Sequence, residues 1–208
     1  DILDIDATLE SGSHALITTP GATRFYRSDG AVATQRTRLR LQAGARLEWL
    51  PLETIAYRRC LAENRIHLHL EPTAEAMGWD ILALGLPAAN QPFDSGRVLL
   101  HLELDGHWLE RGVISASDTL LLGSPSGLAG QSVLATLWWV SGEDLAPSRS
   151  DALLDTAREC CAAGPLAASA GATSPNARVI VLRVLAQRVE PAMQLLSAIR
   201  AAWRRVAW

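Results

Sequence analysis

Along the first two-thirds of the chain, apolar and polar residues alternate with period two. Leu3, Ile5, Ala7 and Leu9 fall on one face of an extended segment, and Asp4, Asp6 and Thr8 on the other. After Ser11-Gly12 a second strand spans His14 to Thr19 and ends at Pro20-Gly21. A third covers 33–41 with Arg36, Arg38 and Arg40 on one face, and Ala43-Gly44 turns the chain into a fourth at 46–50. The runs 65–71 and 97–105 alternate in the same way, and Asp105-Gly106 is a hairpin signal. Helical spacing is confined to three stretches. One runs from Thr73 to Leu84 before Gly85, and one from Ser148 or Ser150 to Gly164. The last opens near Pro191 and carries Met193, Leu196, Ile199 and Trp203 on one stripe. The small and polar segment 164–176 reads as a loop, and the apolar run 178–185 as a strand. The pattern predicts a mainly β fold with few helices, gathered towards the C-terminus.

Composition narrows the class. The chain has 208 residues, which suits one domain, and 49% of them are hydrophobic, enough for a sizeable core. A formal charge of −3 gives no general attraction to nucleic acid or anionic lipid. No apolar run is long enough to span a bilayer, and no secretory signal pattern opens the chain, so neither membrane nor export is expected. The chain opens at Asp1 rather than methionine and is therefore expected to start late. All 19 basic residues are arginine; without lysine there is no P-loop amine and no Schiff base. Cys60, Cys160 and Cys161 make a poor disulfide framework and show no zinc-binding spacing, which suits a reducing, cytoplasmic setting.

Candidate chemistry is sparse. His67 and His69 share one strand face; His101, Glu103 and Asp105 share another. If those strands are neighbours, imidazoles and carboxylates converge as ligands for a borderline metal such as nickel or zinc. Polar-out alternation alone also produces such pairs, so the solvated outer face of a sheet is the default reading. In Gly123-Ser124-Pro125-Ser126-Gly127 the centre is proline, which excludes a nucleophile elbow. The arginine stripe at 36–40 lacks interleaved aromatics, and the pairs Asp4/Asp6 and Glu71/Glu75 have no accompanying substrate motif. The adjacent Trp138 and Trp139 must point to opposite faces of a strand, which leaves room for one to be exposed as an interface anchor.

Two segments carry a family resemblance. Thr18-Thr19-Pro20-Gly21-Ala22-Thr23-Arg24-Phe25-Tyr26-Arg27-Ser28 resembles a signature of the UreD (UreH) urease accessory proteins. Leu47-Glu48-Trp49-Leu50-Pro51-Leu52-Glu53-Thr54-Ile55 is similar to that family's W-L-P-Q-E-T-I block, and Gly78-Trp79-Asp80-Ile81-Leu82, Phe93, Gly96 and Glu110-Arg111 follow in family order. Departures are Arg24 for a usual lysine, Leu52 for glutamine and Leu86 for arginine. The family has further strands before the position of Asp1 and a tail after Trp208, so the chain resembles a single UreD-like domain, 1–208, trimmed at both ends.

The resemblance implies a β-helix-like stack of sheets with a helical pair towards the C-terminus. It implies a non-enzymatic, cytoplasmic maturation factor that docks on apo-urease with UreF and the GTPase UreG. Nickel would pass through it in transit, with no tightly bound cofactor and no single tight site. The motif residues Thr19, Pro20, Gly21, Arg24, Phe25, Tyr26, Trp49, Pro51 and Glu53 become candidates for partner binding. Glu110, His67 and His69 become candidates for transient metal contact. The competing class is a small hydrolase or isomerase on a β-rich scaffold.

Overall fold

The computed structural model describes all 208 residues, Asp1 to Trp208. The alternating segments wind as successive coils. The first holds β1 (Ile2–Leu9), β2 (His14–Ile17) and β3 (Thr23–Phe25). The second holds β4 (Ala33–Leu41), β5 (Arg46–Trp49) and β6 (Thr54–Ala56), and the third β7 (Cys60–Leu70) and β8 (Glu75–Leu86). Corresponding strands pair in parallel, β1 with β4 and β4 with β7 in one sheet, β2 with β5 and β3 with β6 in the other. The long β8 serves both short strands of the coil below, pairing β5 with its first half and β6 with its second.

After β9 (Gln91–Pro92), β10 (Gly96–Leu104) returns to the first sheet parallel to β7. β11 (Trp108–Ser115) folds back on β10 through the expected Asp105-Gly106 hairpin. A short helix, α1 (Thr119–Gly123), precedes β12 (Val133–Ser141), which pairs antiparallel with β8. Then come α2 (Pro147–Ala163), β13 (Ala170–Asn176), β14 (Val179–Ala186) and α3 (Val189–Ala207). The order β1-β4-β7-β10-β11 makes one sheet, and β13-β14-β12-β8-β5-β2 runs through the other. The stacked sheets resemble a β-solenoid with a helical pair at the C-terminal end, as expected.

Three layers follow from the strand faces. Leu39, Leu41, Ile66 and Leu68 of the first sheet meet Leu47, Trp49, Trp138 and Val181 of the second. The second sheet's other face, with Met77, Ile81 and Trp139, is covered by Leu153, Leu196 and Trp203 of α2 and α3. Buried carboxylates pin those helices. Glu48 accepts from Arg200 Nε at 2.5 Å and pairs with Arg204 at 3.1 Å. Glu75 takes a bidentate pair from Arg149 and the indole N–H of Trp208 at 2.9 Å.

Three expectations are corrected. From Glu75 onward the segment 73–84 belongs to β8, not to a helix: covered on both faces, it has no polar side, and a continuous apolar run carries no period that separates strand from helix. Part of the expected loop at 164–176 is the edge strand β13, whose small residues pair β14 and whose Pro175 falls at a register irregularity. Neither Trp138 nor Trp139 is exposed; they do point to opposite faces, but the other sheet covers one and the helices the other.

Candidate functional site

A sandwich this apolar has one polar seam. On β4 the inward positions before Leu39 and Leu41 are Gln35 and Thr37, and on β7 the inward position before Ile66 is Asn64; all three are buried. Parallel register sets Gln35 beside Asn64. Their side chains join a continuous row: Thr23 Oγ1 donates to Gln35 Oε1 at 3.1 Å, Gln35 Nε2 to Asn64 Oδ1 at 3.3 Å, and Asn64 Nδ2 to Asp80 Oδ1 at 3.0 Å. The row steps from the first coil to the third and crosses between the sheets twice. Beside it, Thr37 Oγ1 is buried with no protein partner.

Each end of the row opens into a cavity. Thr23 and Gln35 line one of about 430 Å³, together with Asp1, Leu3, Arg24 and Phe25. Asp80 lines the other, about 480 Å³, with Thr136, Glu110 and Arg183. The far cavity exists because register aligns Asp80, Thr136 and Arg183 across β8, β12 and β14 on the inward face. Glu110 reaches inward from β11 and ion-pairs with Arg183. That pairing leaves Asp80 with its Asn64 hydrogen bond and no cation within ion-pair distance. Burial raises the Asp80 carboxyl to about 6, against a smaller opposing effect of the Asn64 bond. Burial also lowers the pKa of Arg183. At neutral pH the row therefore ends on an ionised carboxylate held in a low-dielectric interior, an arrangement that draws cations.

The two signature segments come together as neighbouring coils. Thr19 Oγ1 accepts from the Leu52 N–H at 2.9 Å, and the Thr23 N–H donates to the Glu53 carbonyl at 3.0 Å. Pro51 offers its carbonyl to the Trp79 indole at 2.7 Å. Phe25 and Trp49 are core; Pro20, Gly21, Arg24 and Tyr26 are exposed. His67 and His69 lie on the outer face of the first sheet, whereas Glu110 faces inward, so the structure does not unite these metal candidates.

Sequence reasoning missed the row. Its signal was present in Gln35 and Asn64, polar residues in phase with leucine and isoleucine, and in Arg183 within an apolar run. Asp80 was hidden by the helix assignment of its segment.

Fold and site together define a β-solenoid scaffold with a polar row buried between its sheets. Residues 1–208 match the UreD urease accessory protein family model, and the chain belongs to that family. Among its relatives are the urease accessory proteins UreD of Leptothrix cholodnii and Albidiferax ferrireducens, each 59% identical over 208 residues. That of Variovorax paradoxus is 58% identical over the same span. In each case the match covers all of this chain and 75% of the relative. No helix is long and apolar enough to cross a membrane.

Proposed function

We propose that this chain serves urease maturation as a non-enzymatic cytoplasmic scaffold, binding apo-urease together with UreF and UreG, and that nickel passes through its interior towards the enzyme. The observation that carries the nickel route is the row of side chains from Thr23 to Asp80 joining two cavities. A conducting path needs ligands strong enough to admit an ion and weak enough to release it. Hydroxyl and amide oxygens with one uncompensated carboxylate meet that need, where a thiolate or imidazole cage would retain nickel. The amides of Gln35 and Asn64 bond each other, so an ion advances by rotating them aside. Glu110 offers a second carboxylate when it parts from Arg183, and the guanidinium opposes prolonged residence of a cation.

Partner contact falls to the exposed members of the signature, Pro20, Gly21, Arg24 and Tyr26, while Phe25 and Trp49 hold their coils in place. Burial pushes the Cys60 thiol up to about 11, which removes that one thiol as a nucleophile. The test is co-expression with UreF and UreG, followed by pull-down and capture of apo-urease. A stable assembly that captures the enzyme is expected. A chain that stays alone, both in this form and at the relatives' full length, contradicts the proposal.

A further inference from the structure

The outer face of the first sheet carries a second cluster, on the opposite side of that sheet from the polar row. β7 and β10 run in parallel with His67 opposite Glu103, and period-two alternation places His101 on the same face. His67 Nε2 and His101 Nε2 each lie 2.8 Å from the same oxygen, Glu103 Oε2. The three potential ligand atoms fall within 4.8 Å of one another. The two imidazole planes are nearly parallel, 7° apart, with centroids separated by 6.0 Å. On the far side of its ring, His67 Nδ1 lies 3.1 Å from Asp105 Oδ1. A carboxylate in that position fixes ring orientation and tautomer, leaving Nε2 free to ligate. The second oxygen of Asp105 holds His69 Nδ1 at 3.0 Å, so His69 braces the brace and does not point at the cluster's centre.

We propose that His67, His101 and Glu103 form a solvent-open site for a borderline divalent cation of the nickel, copper and zinc class, with Asp105 as a positioning residue. Two imidazoles and a carboxylate are the donor set such ions favour. In the metal-free protein the two imidazoles share the Glu103 oxygen; the cation takes that meeting point, and the remaining coordination positions go to water. The surroundings make it a site of exchange rather than storage. Arg38, opposite His67, is engaged by Asp4 and Asp6, and Arg65, opposite His101, by Glu63. Arg111 stands opposite His101 on β11 and brings positive charge close to any bound ion. Three ligands beside an arginine bind a cation loosely. The site stands whether or not this chain acts on urease; only the choice of nickel as its physiological ion rests on that reading.

The experiment titrates Cu(II) into the tag-free chain and reads electron spin resonance, with Ni(II) affinity measured in parallel by calorimetry. The unaltered chain and Asp80→Asn are both expected to show copper held by two nitrogens. His67→Ala is expected to show one nitrogen and at least about tenfold weaker binding of either ion. Asp105→Asn is expected to keep two nitrogens with binding weaker by about tenfold, the usual loss when an orienting partner of a metal ligand is removed. Glu103→Gln provides an independent check, since it deletes the carboxylate and leaves both rings. Copper signals and nickel affinity unchanged in both His67→Ala and Glu103→Gln overturn the proposal. So does binding that disappears in Asp80→Asn alone, which would assign the ion to the interior.

Discussion

Replacing Asp80 by asparagine should make the protein more stable at neutral pH. The side chain keeps its shape and still accepts the 3.0 Å hydrogen bond from Asn64, but it no longer carries a charge into the space between the sheets. Burial raises the folded-state carboxyl from 3.8 to about 6. Because the folded value lies above the unfolded one, protonation favours the fold. That contribution is complete below 3.8 and is lost as the pH rises through about 6. At roughly 1.4 kcal/mol per pKa unit, ionised Asp80 costs about 3 kcal/mol, and access to the cavity reduces this to about 2–3 kcal/mol. Asparagine removes that cost, which for a chain of this size corresponds to a rise in Tm of about 4–12 °C. Urea unfolding of both proteins at pH 7.5 and pH 5 measures it. The asparagine advantage should be about 2–3 kcal/mol at the higher pH and shrink to about half at the lower, where the native aspartate is largely protonated. An advantage that is the same at both pH values, or a variant less stable than the parent at pH 7.5, would show that Asp80 carries no such buried charge.

Two further substitutions test the architecture. A Cβ at Gly78 would lie 2.5 Å from the Trp138 ring and 2.6 Å from the Trp49 carbonyl oxygen, so Gly78→Ala should cost about 1–3 kcal/mol in urea unfolding; unchanged stability would show that β8 and Trp138 are not packed this closely. Glu48→Ala strips the buried partner from Arg200 and Arg204 and should lose about 3 kcal/mol or more, with amide exchange rising first in α3; loss spread evenly over the chain would contradict its role as the anchor of that helix.

The strands were legible wherever one face is wet, as the arginines of β4 and the histidines of β7 show, whereas their parallel stacking came only from the family resemblance. In β8, where the fold covers both faces, the pattern misled. β8 and β12 lie between the first sheet and the helices, so tertiary structure, not local pattern, decides their state and hides both tryptophans. β13 was missed for the opposite reason, since its small residues bury little and its pairing with β14 makes it a strand. The histidines and carboxylates of β7 and β10 were visible as same-face pairs, and adjacency of the strands was the one missing fact. The polar row required more, because Thr23, Gln35, Asn64 and Asp80 come from four strands and two sheets.

The most direct test of the nickel route is the metal content of urease matured with this chain or with Asp80→Asn, counted per active site after purification of the enzyme. The variant should fold more stably and still assemble with UreF and UreG, so lost delivery cannot come from a lost scaffold. Urease matured with the parent chain should be filled with nickel, and urease matured with Asp80→Asn depleted of it, because the path has given up its one uncompensated charge. Urease filled equally by both would contradict the interior route.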